Sequence, residues 1–80
     1  MMYPNPARNQ TTIHFTLTKA SNVSLNVIDM SGKEIKSFLN SYMQQGDHDV
    51  LLNTSHFSSG FYIVRMITEN GIKNVKLVVQ

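Results

Sequence analysis

Apolar and polar residues alternate with a period of two through most of this chain. Thr11 to Thr18 is the cleanest case: Ile13, Phe15 and Leu17 point one way, and Thr12, His14, Thr16 and Thr18 the other. Successive side chains of a strand leave on opposite faces, so this predicts a half-buried strand with β-branched residues on the wet side. Val23, Leu25 and Val27 alternate with Ser24 and Asn26 and predict a second strand after a turn at 19–22. It runs to Asp29-Met30-Ser31-Gly32. A three-residue loop with Gly32 in the left-handed region sets Asp29 opposite Lys33 and Val27 opposite Ile35. Lys33 to Leu39 is the third strand. Asn40 to Gly46 has no clear period; a short strand and a loop fit equally, with Tyr42 and Met43 covering a core edge. Asp47 to Asn53 alternates again, with His48, Val50 and Leu52 on one face. Phe57 is the apolar member of the loop that follows and is expected to plug the core.

The longest strand-loving run is Ser58-Ser59-Gly60-Phe61-Tyr62-Ile63-Val64-Arg65-Met66-Ile67. Asn70-Gly71 closes it, the strongest short-range hairpin signal, because a type I′ turn needs positive φ at both central residues. A turn centred there puts Met66 opposite Val75, Val64 opposite Leu77 and Tyr62 opposite Val79, all apolar. The other face then pairs Ile67 with Asn74, Ile63 with Val78, and Arg65 with Lys76, two like charges in opposition. No segment holds a helical period, and strands recur every 8–12 residues. The expected fold is all-β: an immunoglobulin-like, fibronectin-III-like antiparallel β-sandwich of about six to seven short strands. Both prolines precede the first long strand, so residues 1–10 read as a stiff lead-in and 11–80 as the sandwich.

Composition sharpens this. Eighty residues make one small domain, and 41% hydrophobic with 15% charged is globular composition. Seven cations and five anions are scattered, so the pI of 9.2 reflects few charges and not a basic run. Neither nucleic acid nor membrane insertion is expected. The absence of cysteine excludes disulfides, thiolate metal sites and cysteine nucleophiles. Asp47-His48-Asp49 is the one cluster that invites metal or acid–base chemistry. In a strand its carboxylates and imidazole leave on opposite faces, and charges on an edge strand discourage edge-to-edge pairing. No histidines sit at ligand spacing, and no phosphate loop or nucleophile elbow occurs. The reading is of a non-enzyme with no catalytic, cofactor or metal residues.

The ordered motifs resemble one family. Tyr3-Pro4-Asn5-Pro6-Ala7 comes first, then Val23 to Lys33, then Gly46-Asp47-His48, Ser59-Gly60-Phe61-Tyr62, and last Lys73-Asn74-Val75-Lys76-Leu77-Val78-Val79. Their order and spacing are similar to the type A C-terminal sorting domain of bacterial type IX secretion, over nearly the whole chain. The resemblance implies an immunoglobulin-like sandwich at the end of a larger exported protein. It also implies recognition by the outer-membrane translocon, passage through the periplasm, removal by a sortase-like peptidase, and a cargo left at the cell surface or released. Pro4, Asn5 and Pro6 match the opening motif, Gly60 and Tyr62 the Gly-x-Tyr motif, and Lys76 the lysine of the closing motif, with Lys73 as the other match. Phe61 stands where the family often has a smaller aliphatic residue. A positive patch of Arg65 and Lys76 is the expected contact surface, with capture of the final strand by strand addition a second means of reading. The competing reading is a tethering or carbohydrate-binding module of a secreted enzyme, for which Tyr3, Phe38, Tyr42 and Phe61 are the available exposed aromatics. Cargo identity, cleavage position and exchange of the last strand between chains, as in a dimer, stay open.

Overall fold

A computed structural model describes residues 2–80. Seven strands make two antiparallel sheets: β1 (Met2–Tyr3), β2 (Gln10–Leu17), β3 (Ser21–Asp29), β4 (Glu34–Met43), β5 (Gly46–Asn53), β6 (Gly60–Thr68) and β7 (Gly71–Val79). One sheet runs β1-β2-β5 and the other β4-β3-β6-β7. The inward residues of both sheets meet in one core. Val23, Leu25, Val27, Leu52, Val64 and Leu77 are almost wholly buried, with Ile13, Phe15 and Leu17 beside them. The period-two alternation therefore assigned the faces of β2, β3, β6 and β7 as the structure has them. Phe57 packs on this core, its ring 5.5 Å from that of Tyr62.

Three local expectations are corrected. The final hairpin turns at Glu69-Asn70, with Thr68 opposite Gly71 and Val64 opposite Val75. In this turn only Gly71 takes a positive φ (125°), and Asn70 does not, so the type I′ turn, which would need one at both, is not formed. The register moves by two residues. A slip of two keeps every side chain on its face and changes every partner. Tyr62 now faces Leu77, Arg65 faces Asn74 and Lys76 faces Ile63, so the like-charge opposition of Arg65 and Lys76 is absent. Arg65 Nε instead donates to Asn74 Oδ1 at 3.0 Å.

Second, β4 continues to Met43, which pairs with Ser21. Its residues are mostly exposed because β4 edges its sheet, and Tyr42 points to solvent while Met43 packs on the core. Third, register shifts leave Val27 opposite Lys36 and not Ile35. Ile35 and Phe38 are the extra residues, the two-against-one count of a β-bulge.

The β3–β4 turn forms as expected. Asp29 N–H donates to Lys33 O at 2.9 Å, and Gly32 holds φ at 93°, where a Cβ would be disfavoured. The Asp29 carboxylate accepts from the Ser31 hydroxyl (2.6 Å), the Lys33 N–H (3.0 Å) and the Ser31 N–H (3.0 Å). These bonds, the hydroxyl first, hold its pKa below the usual carboxylate range. A depressed folded pKa stabilises above the unfolded value of about 3.9, and the contribution disappears as pH falls through the lowered value. The Tm gap between the native chain and Asp29→Asn is therefore expected at neutral pH and should close in acid. A gap that persisted in acid would contradict the assignment.

Candidate functional site

The prolines do not leave the lead-in as a free tether. Met2 and Tyr3 pair with Ile13 and Thr12 of β2, and Met2 is buried. Thr11 Oγ1 donates to Pro4 O at 2.9 Å. Both X–Pro bonds are cis. The chain then crosses to the other sheet and meets β7.

That meeting is the most specific feature of the molecule. β7 is an edge strand, so the backbone groups on its outer side have no strand partner of their own. Asn5 supplies one with its side chain. Its Nδ2 donates to Lys76 O and its Oδ1 accepts from Val78 N–H, both at 3.0 Å. The carboxamide thus stands in for a peptide group of a neighbouring strand. Two residues on, the backbone takes over: Ala7 N–H donates to Val78 O (2.7 Å) and Gln80 N–H to Ala7 O (2.8 Å), a parallel bridge centred on Ala7 and Val79. Ala7 is fully buried, so its small side chain lets the two backbones come together. Four hydrogen bonds clasp the end of the last strand to the opening motif.

The third motif lies at the same end. Gly60 pairs with Val79 and Phe61 with Val78. Lys76 Nζ sits 4.6 Å from the centre of the Phe61 ring, a cation–π contact on the outer face of the four-stranded sheet. Asn5 of the opening motif, Phe61 beside Gly60, and Lys76 of the closing motif are therefore linked in space across more than seventy residues of chain. Pro4 and Pro6 flank this point and are exposed. Tyr62 is not part of the surface. It is buried, and its hydroxyl donates to Ser58 O at 2.6 Å. Arg65 shares the outer face with Lys76, but it is tied to Asn74 while the Lys76 head reaches toward Phe61. The two charges thus lie diagonally on one face without a joint contact.

Sequence reasoning missed Phe61, Ala7 and Val78 as members of this site. Phe61 carried a signal, its aromatic ring in place of a smaller aliphatic residue. Ala7 and Val78 were visible only as members of the opening and closing motifs, with no sign that they meet.

The Asp47-His48-Asp49 cluster divides as alternation requires. Asp49 pairs with His14 (2.6 Å) and Asp47 accepts from the Thr16 hydroxyl (2.6 Å) on the outer face of the three-stranded sheet. His48 turns the other way, 5.5 Å from Phe15, with its Nε2 at 2.7 Å from Gln44 O. Among the described residues no group of three or more His, Cys, Asp or Glu could hold a metal ion. Of the exposed aromatics, Tyr3 is on the three-stranded sheet, while Tyr42 and Phe61 lie at opposite ends of the other. Tyr42 pairs with Asn22 and the neighbour of Phe61 with Asp29, roughly 23 Å apart along β3 at about 3.3 Å per residue. They form no common stacking platform. Phe38 is half-buried against the core.

The chain is thus a small two-sheet β-sandwich whose opening motif clasps its last strand. The chain belongs to the secretion-system C-terminal sorting domain family, whose family model matches residues 1–80, and it is of the type IX secretion kind. No curated protein and no solved structure matches it. The family is one of sorting signals and not of enzymes. Membership implies a cargo fused to the domain, a secretion machinery that handles both, and delivery to the cell surface or the extracellular space.

Proposed function

We propose that the outer-membrane translocon of type IX secretion reads the clasped end of this domain: Pro4, Asn5 and Pro6, the Phe61–Lys76 contact, and the margin of β7 beside them. Gly60 and Tyr62 set this surface from beneath, Gly60 by its place opposite Val79 and Tyr62 by fixing the start of β6 to Ser58. Arg65 extends the positive face along β6. The observation that supports the reading is the convergence of three separate motifs on one end through Asn5, Phe61 and Lys76. A partner strand could add to the free part of the β7 margin, where main-chain hydrogen bonds give affinity and side-chain contacts give specificity. After passage, a sortase-like peptidase cuts between cargo and domain, leaving the cargo at the surface or in the medium.

The test is export of a reporter that carries a signal peptide and is fused ahead of this domain. It compares a secretion-competent strain, a translocon-deficient strain and a peptidase-deficient strain. Reporter is expected outside only with a working translocon, and it should keep the domain attached when the peptidase is missing. Reporter held in the periplasm of all three would sink the proposal, and binding of the isolated domain to a glycan would then favour a tethering module.

A further inference from the structure

Asn70-Gly71 lies at the exposed tip of the β6–β7 hairpin, the far end of these strands from the clasp. It is the only asparagine–glycine pair in the chain. The carboxamide carbon of an asparagine is an electrophile within reach of the next residue's main-chain nitrogen. Ring closure between the two is opposed by a hydrogen bond that holds the carboxamide, by a side chain on the next residue, and by a backbone locked inside a ladder.

The other asparagines are guarded in these ways. Asn5 is held by β7 and precedes Pro6, which has no N–H. The carboxamides of Asn26, Asn53 and Asn74 are hydrogen-bonded to Ser24, Ser55 and Arg65. Asn22 and Asn40 sit within the β3–β4 ladder, opposite Tyr42 and Ser24. Asn9 precedes the long Gln10, and its carbonyl is tied to Thr54 N–H. Asn70 is the exception. Among the described residues its carboxamide has no hydrogen-bond partner; only its main-chain N–H is engaged, by Thr68 Oγ1 at 3.1 Å. Gly71 has no side chain, and even a Cβ placed there would meet nothing within 4 Å, so a ring closes in open space. Gly71 and Thr68 are the last pair of the ladder, and such ends open locally at small free energy.

We propose that Asn70 is a site of spontaneous modification, with water as the only co-reactant. Hydroxide takes the Gly71 N–H proton, and the nitrogen attacks Cγ of Asn70. The new C–N bond replaces the Cγ–Nδ2 bond, and Nδ2 leaves as ammonia with a proton from water. Water then opens the succinimide at either carbonyl, and no oxidation or reduction takes place. One opening leaves aspartate at position 70. The other leaves isoaspartate, whose main chain runs through the former side chain. That product puts an extra main-chain carbon into a two-residue turn held between Thr68–Gly71 and the Glu69 N–H bond to Ser21 Oγ. The tip cannot keep its closing pair, and the adjoining Ile67–Ile72 pair loosens with it.

The test is peptide mapping of the folded chain held at mildly alkaline pH. Trypsin cuts after Arg65 and Lys73, which isolates Met66–Lys73. This peptide is expected to lose its native form first, giving two products of equal mass that separate on a column, at a rate rising in proportion to hydroxide. Asn70→Gln should keep it intact. The isolated isoaspartyl form should melt lower than the native chain by roughly 4–8 °C, the shift of a modest loss in a domain this small. Asn70→Asp, which adds the charge without the extra carbon, should stay within about 4 °C. Conversion in the urea-unfolded chain but not in the folded one would overturn the proposal, because the turn would then protect Asn70. Conversion no faster than at Asn40 would overturn it too. An isoaspartyl form that melted with the native chain would overturn the predicted break in the turn.

Discussion

Asn5→Ala is expected to loosen the end of the last strand and lower the stability of the whole domain by about 1–3 kcal/mol. Two hydrogen bonds disappear outright, to Lys76 O and from Val78 N–H. Each is worth roughly 0.5–1.5 kcal/mol net at a site that water can reach. The neighbouring Ala7 bridge then has no anchor before it and should fray. For a domain of this size the change corresponds to a fall in Tm of roughly 5–20 °C. Thermal melting gives the total, and hydrogen exchange gives the place. Protection at the Val78 and Gln80 amides should collapse well before that of Leu25 in the centre of β3. If Asn5→Ala melted with the native chain, or if the Val78 and Gln80 amides lost no more protection than that of Leu25, the clasp would not be the independent tie described here. Export of a fused cargo is expected to fall in step, since the proposed recognition surface is built on that tie.

Much of the fold was legible in the residues because a period of two is a strong statement about faces. Ile13, Phe15 and Leu17, or Val23, Leu25 and Val27, can be buried together in only one way. The same period is blind to a slip of two, which is why the β6–β7 hairpin kept its faces and changed its partners. Asn70-Gly71 favoured a two-residue turn with positive φ at both places, and the chain used only the glycine. Strand β4 was the poorest reading for a related reason. It edges its sheet and exposes most of its side chains, so burial imposed little pattern, and the two bulges at Ile35 and Phe38 broke what pattern there was.

The site was legible only in fragments. Tyr3-Pro4-Asn5-Pro6, Gly60-Phe61-Tyr62 and Lys76 were each visible through resemblance, but nothing in their spacing says that they meet. Asn5 and Val78 are 73 residues apart and communicate through one carboxamide, a contact with no period and no hydrophobic signature. The positive patch was drawn from a register in which Arg65 and Lys76 faced each other. In the structure Lys76 is directed to Phe61, which moves the centre of the proposed surface toward the clasp.

The second large effect follows from that shift. Lys76 and Phe61 are both exposed, and their contact is worth about 0.5–1 kcal/mol at such a site, so removing it should barely change stability. If the translocon reads this surface, the same change should strike export hard. A buried charge or aromatic at the centre of an interface commonly costs 2 kcal/mol or more, and 1.4 kcal/mol is already tenfold in affinity. Lys76→Glu combined with Phe61→Ala removes the cation, reverses the charge and deletes the ring, yet leaves the core and the Asn5 clasp untouched. Arg65→Glu, two steps further along β6, is the comparison on the same face.

The decisive measurement is therefore the amount of reporter exported by the Lys76→Glu/Phe61→Ala domain, taken beside its melting temperature. A Tm within a few degrees of the native chain with export reduced at least about tenfold, and a smaller loss for Arg65→Glu, is the predicted result. Normal export from a normally folded double variant would contradict the claim that the translocon reads the clasped end.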